Sequence, residues 1–166
     1  GGAQEKGRRA GTENVPGIVG LGKAIELCYE HMEIESKRQT ELREYLIAGV
    51  LEKVPYCRVN GHRINRLPNN VNISFQFIEG ESLLIMLDMK GVCASSGSAC
   101  TSGSLDPSHV LLGIGLPHEI AHGSLRISLG ESNTKEEIDY LIEVLQSIVS
   151  RLRDMSPLYE DFMKSK

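Results

Sequence analysis

Long apolar runs are missing from this chain of 166 residues. No stretch approaches the ~20 consecutive apolar residues that a membrane-spanning helix needs, and no secretory leader is recognisable. Paired cysteines are missing as well. Cys28, Cys57, Cys93 and Cys100 make no C-x-x-C pair, and their uneven spacing fits neither a zinc site nor a disulfide framework. Reduced thiols are expected, in the cytoplasm or, in a eukaryote, an organelle matrix. Basic runs are also missing. The net charge is −4, so neither nucleic acid nor a membrane is expected as a partner. Internal repeats and low-complexity tracts are lacking too. So is an initiator Met: the chain opens on Gly1-Gly2-Ala3-Gln4 and is read as a fragment of a longer one.

What is present is an ordinary globular composition, 40% hydrophobic and 24% charged, enough for a single domain over residues 1–166 with a real core. A turn-rich, locally basic opening over 1–14 leads into a helix that Pro16 suits and Thr12 or Asn14 can cap. Ile18, Leu21, Ile25, Cys28 and Met32 recur at spacings of three and four, one face of a helix, which makes Cys28 a packing residue. Leu42, Tyr45, Leu46 and Val50 continue the pattern to about Lys53, as one long helix or two with a kink near 32–36. Residues 56–59 read as a short strand and Asn60-Gly61 as a turn. Residues 71–77 alternate as a half-buried strand, 81–89 form a short helix, and 92–94 a strand that buries Cys93. Two short helices follow over 108–114 and 117–122. In 124–129 the apolar residues face one way and Ser124, Arg126 and Ser128 the other. Thr134 and Glu137 have capping-box spacing, and an apolar helical stripe runs from Ile138 to about Met155. The fold class is α+β, a short sheet covered by helices.

Four groups of residues could carry chemistry. In Ala94-Ser95-Ser96-Gly97-Ser98-Ala99-Cys100-Thr101-Ser102-Gly103-Ser104 a cysteine stands among small and hydroxylated neighbours. That is a loop setting for a reactive thiol or a Ser/Gly linker with an incidental cysteine. Gly7, Gly11 and Thr12, with Arg8 and Arg9, stand ahead of a helix, where free N–H groups favour an anion such as phosphate; a simple capped helix with solvated arginines is the alternative. Arg126, mid-strand between apolar residues, has a planar fork matched to a carboxylate, or it meets water or an internal ion pair. His118-Glu119-Ile120-Ala121-His122 matches H-E-x-x-H, a zinc-hydrolase pattern, but Pro117 and Gly123 box it in and no third ligand announces itself. His109 is a candidate base near Cys100.

Taken together, these residues resemble the cysteine desulfurases, a class-V aminotransferase-like family, and within it the group serving iron–sulfur cluster assembly. The resemblance is carried by Gly1-Gly2-Ala3-Gln4-Glu5-Lys6-Gly7-Arg8-Arg9-Ala10-Gly11-Thr12-Glu13-Asn14, Leu67-Pro68-Asn69-Asn70-Val71-Asn72-Ile73-Ser74-Phe75, Ser95-Ser96-Gly97-Ser98-Ala99-Cys100-Thr101-Ser102 and Ser124-Leu125-Arg126-Ile127-Ser128-Leu129-Gly130. It implies a fold-type I transferase that uses pyridoxal 5′-phosphate as an electron sink and converts L-cysteine to alanine. By the same resemblance Cys100 is the nucleophile that becomes a persulfide. Thr12 reaches the cofactor phosphate across a homodimer interface, and Arg126 holds the substrate carboxylate. The sulfur then passes to a cluster scaffold or another acceptor.

The chain departs from the family pattern at Ala3 and Lys6, both mildly. The larger departure is that no lysine here sits in the Ser-x-His-Lys context that attaches the cofactor. The chain is therefore expected to be the small C-terminal domain with its preceding segment, lacking the large cofactor domain and inactive alone. Two rivals stay open: a zinc hydrolase using His118, Glu119 and His122, and a non-catalytic module that docks a partner.

Overall fold

The computed structural model describes residues 1–96 and 107–166. Its elements run α1 (Val15–Lys53), β1 (Cys57–Val59), β2 (Asn70–Phe75), α2 (Gly80–Asp88), α3 (His109–Gly113), α4 (His118–His122), β3 (Ser124–Ser128), α5 (Lys135–Asp154) and α6 (Pro157–Lys164), after an opening 3-10 turn over Gln4–Gly7. Contacts divide the chain into two compact units, Gly1–Glu35 and Ser36–Lys166.

The first unit holds the opening turns and the start of α1. Asn14 caps that helix, its Oδ1 accepting from the Gly17 N–H at 3.2 Å. α1 is one helix of 39 residues. No glycine or proline lies between Lys23 and Gly49, so nothing interrupts its hydrogen bonds where a kink was allowed. Its first apolar stripe is not core. Ile18, Leu21, Ile25 and Met32 are all more than half exposed, and Cys28 is exposed with them, so the packing role expected of Cys28 is corrected. Periodicity identifies an apolar face but not what covers it.

The second unit is built on a three-stranded antiparallel sheet in the order β1-β2-β3. Strict alternation in β2 gives the sheet two unlike faces. Val71 pairs with Ile127, and Ile73 with both Val59 and Leu125. This apolar face joins one buried core with Leu46, Ile47 and Val50 of α1, Leu83 and Leu87 of α2, and the Ile138–Val149 stripe of α5. On the other face Asn72 stands opposite Arg126, and Ser74 opposite Ser124. The α+β class, the three strands β1, β2 and β3 and the capped helix α5 follow the sequence reading.

The cap is complete. Thr134 Oγ1 accepts from the Glu137 N–H at 3.3 Å and Glu137 Oε2 from the Thr134 N–H at 3.2 Å. Hydrogen bonds from Asn133 and from that backbone N–H hold the Glu137 carboxyl below its usual range. Two expectations fail. Residues 92–94 form no strand; instead Ser95 makes an isolated antiparallel bridge to Arg126. Cys93 is exposed, because Val92 and Ala94 take the positions packed against the core.

The close approach between α4 and β2 depends on Gly123. The Phe75 N–H donates to Gly123 O at 2.8 Å, and a Cβ at position 123 would lie 2.1 Å from Phe75 O. Gly123→Ala is expected to destabilise the second unit by about 1–3 kcal/mol or more, the range for overpacking a tight core, read as a lowered midpoint of thermal denaturation.

Candidate functional site

β3 carries Arg126 at its exposed centre. Leu125 and Ile127 on either side are buried, so the register turns the guanidinium to the polar face of the sheet. Among the described residues it has no hydrogen-bonded or ion-paired partner. An arginine fork fixed on a rigid strand, open to solvent and without an internal anion, is suited to a planar carboxylate from outside.

The Ser-rich signature begins beside this arginine. The Ser95 N–H donates to Arg126 O at 3.1 Å, and the Arg126 N–H donates to Ser95 O at 2.6 Å. The bridge extends the sheet by one residue and ties the root of the cysteine-bearing segment to the backbone of the candidate carboxylate receptor. Cys100 itself lies outside the described residues.

Beneath Arg126, on the same sheet face, is a polar network that the sequence reading did not single out. Asn60 is buried, and its Nδ2 donates to Asn72 Oδ1 at 2.7 Å and to Ser74 Oγ at 2.8 Å. Asn72 is the cross-strand neighbour of Arg126. The signal was available in the alternation of β2, but pairing Asn72 with Arg126 required the register between strands far apart in sequence.

Thr12 belongs to the first unit. It is exposed, and Gly11 before it has a φ of +93°, which glycine adopts without strain. Asn14 rather than Thr12 caps α1, so the Thr12 hydroxyl is uncommitted among the described residues, as a phosphate donor must be. Arg9 is less available than the sequence suggested. Its guanidinium pairs with Glu13 and, at 3.9 Å, with Glu5, and it donates to Gly11 O at 2.9 Å.

His118 and His122 lie at the two ends of α4, five residues long, where His118 and Glu119 are exposed. Among the described residues no three His, Cys, Asp or Glu side chains group in a way that could hold a metal ion. His109 is exposed at the start of α3.

A family model, Aminotransferase class-V, matches residues 2–141. The chain belongs to the class-V aminotransferase family. Among curated class-V relatives, the cysteine desulfurase IscS of Clostridium botulinum is 60% identical over 168 residues, covering 100% of this chain and 42% of that protein. The cysteine desulfurase IscS of Methanosarcina thermophila is 60% identical over 158 residues, covering 95% of this chain and 39% of its own. Among solved structures, a NifS-like protein aligns with a TM-score of 0.78 at 36% identity, covering 92% of this chain and 38% of that one. The NifS-like protein of Rickettsia africae aligns with a TM-score of 0.77 at 35% identity, covering 90% and 39%. The chain thus spans about two fifths of the length of the relatives it matches, and the desulfurase resemblance drawn from its motifs is borne out.

The three described thiols differ in exposure. Cys28 and Cys93 are exposed, whereas Cys57 is half-buried and donates to Val54 O at 3.0 Å. Burial pushes the Cys57 thiol up, and nearby Arg153 only partly opposes this. A raised value leaves less thiolate at any given pH. Iodoacetamide near pH 8 is therefore expected to label Cys28 and Cys93 well before Cys57, as read by peptide mass spectrometry over time.

Proposed function

We propose that this chain is the C-terminal part of a cysteine desulfurase that takes sulfur from L-cysteine, leaves alanine, and carries the sulfur as a persulfide on Cys100 to an iron–sulfur scaffold or another acceptor. The observation that carries the reading is the bridge from Ser95 to Arg126. It roots the Ser-Ser-Gly-Ser-Ala-Cys segment at the arginine best placed to hold a substrate carboxylate, in a chain 60% identical to proteins named for this activity.

In this reading Arg126 binds the cysteine carboxylate through its fork, and the pairing of β3 with β2 keeps the strand that presents it in register. The Thr12 hydroxyl would hold the phosphate of pyridoxal 5′-phosphate, reaching from one protomer of a homodimer into the site of the other. When bound, that cofactor supplies an electron sink for charge developing on the substrate carbons. The Cys100 thiolate attacks the sulfur of the bound cysteine. A sulfur–sulfur bond forms, the substrate carbon–sulfur bond breaks, and its electron pair stays with the substrate carbon. That carbon takes up a proton to give alanine. The thiol of Cys100 is oxidised to a persulfide as the substrate carbon is reduced, so no outside oxidant is required. The acceptor's thiols then take the outer sulfur.

The cofactor-bearing large domain lies outside this chain in this reading, which leaves the 166-residue piece inactive alone. The exposed stripe of Ile18, Leu21, Ile25 and Met32 supports this, since contiguous apolar surface of that kind marks an interface. No helix among the described residues is long and apolar enough to cross a membrane, and the proposed setting is the cytoplasm or an organelle matrix.

Two variants of the full-length protein test the assignment. Cys100→Ser is expected to keep the cofactor's visible absorbance and lose sulfide release from cysteine; release at the wild-type rate would remove Cys100 from the mechanism. Arg126→Ala is expected to raise KM for cysteine by roughly ten- to a hundredfold, the size of a lost charged hydrogen bond, with a smaller change in kcat. A loss confined to kcat would assign the arginine elsewhere.

A further inference from the structure

Within the second unit an open cleft of about 540 Å³ is lined by Ser36 and Thr40 of α1, by Arg43 and Glu44 one turn further on, and by Arg63 and Arg66 of the β1–β2 connection. Three guanidinium groups line it with a single carboxylate, and two of them share that carboxylate. Arg43 contacts Glu44 Oε1 through Nε at 2.9 Å and Nη2 at 2.8 Å, and Arg63 Nη2 takes Glu44 Oε2 at 2.9 Å. Both carboxylate oxygens are committed to these two arginines, and Arg66 has no carboxylate partner among the described residues.

These arginines are not a loose surface cluster. Arg43 is buried, its Nη1 donating to Leu67 O at 2.9 Å. Arg66 is partly buried and held by its Nε to Asn70 O at 3.2 Å and its Nη1 to His62 O at 3.5 Å. Backbone carbonyls thus fix two of the three forks and leave Arg66 Nη2 uncommitted among the described residues. Burial, then Coulombic crowding by Arg43 and Arg63, lowers the Arg66 guanidinium below its ordinary value, with Glu44 opposing. An anion seated among these groups would relieve the crowding.

We propose that this cleft is an anion site for a phosphate-bearing small molecule, with the phosphate bound between the forks of Arg63 and Arg66. Fixed, paired guanidinium groups match phosphate oxygens in bidentate fashion. The Ser36 and Thr40 hydroxyls, one helical turn apart, offer further donors. The cleft has the volume of a small-molecule pocket, but its lining includes no aromatic ring on which a nucleobase could stack, so the phosphate group is the recognised element. Glu44 competes with the ligand for Arg63.

The test is isothermal titration of the full-length, cofactor-loaded protein with pyrophosphate, and with inorganic phosphate as the smaller probe. It is repeated in a Thr12→Val background, so that the proposed cofactor-phosphate contact is not what is read. Saturable binding of either probe that survives Thr12→Val and weakens about tenfold or more in Arg63→Ala/Arg66→Ala supports the site, that being the effect of losing a charge-assisted contact. Tighter binding in Glu44→Gln supports it as well, because the change frees the Arg63 fork and removes a like charge from the cleft. If the double alanine variant loses its thermal transition, Arg63→Lys/Arg66→Lys takes its place, with a smaller loss as the fork is replaced by a point charge. Absence of saturable binding, loss of binding on Thr12→Val alone, affinity indifferent to the arginine pair, or no gain in Glu44→Gln overturns the proposal. The outcome does not depend on Cys100 or Arg126, so it stands or falls separately from the desulfurase reading.

Discussion

The pairing of β2 with β3 is the constraint on which the rest of the second unit depends. Val71 opposite Ile127 and Ile73 opposite Leu125 commit one face of the sheet to the core. Asn72 opposite Arg126 is then committed to the other. A slip of one residue would bury the arginine and expose Leu125 and Ile127. A buried guanidinium without a partner is far costlier than the exposed one observed. The hydrophobic register is therefore also what aims the candidate carboxylate receptor outward, and packing and chemistry are set by the same hydrogen bonds.

Two buried arginines perform a different task. Arg43 ties α1 to the connection before β2 through Leu67 O. Arg153, near the end of α5, donates to Gln76 O at 3.1 Å and Tyr56 O at 3.0 Å and lies over the rings of Tyr56 and Tyr159. Both donate to carbonyls of connecting backbone; Leu67 O and Tyr56 O also accept from the Asn70 and Gln76 N–H groups, so the arginines add a second bond there. Both act as cross-links between elements distant in sequence.

Local features of the fold were legible in the sequence. The alternation of β2 and β3, the apolar stripe of α5 and the capping box at Thr134 are short-range patterns, and the structure shows each of them. Long-range features were less so. Arg43 and Arg153 sit in helical stretches where an arginine reads as solvated, and only the fold reveals the carbonyls they meet. The first apolar stripe of α1 was misread for the complementary reason: its residues announce a partner, and within 1–35 there is none to bury them. Of the candidate site, Arg126 was visible as an arginine flanked by buried residues. Its neighbours Asn72 and Ser95 were not, because both become neighbours only through pairing across the sheet.

The bridge at Ser95 has a mechanical consequence. It consists of two backbone hydrogen bonds at the edge of the sheet, with a combined net strength of about 1–3 kcal/mol, and among the described residues no ladder continues it. β3 holds its place through five paired positions with β2 and does not need Ser95. The root of the signature segment can therefore unfasten from the edge while the arginine strand stays seated. Parting that root from the edge costs about 1–3 kcal/mol, a few times thermal energy, and leaves the five β2–β3 pairs intact.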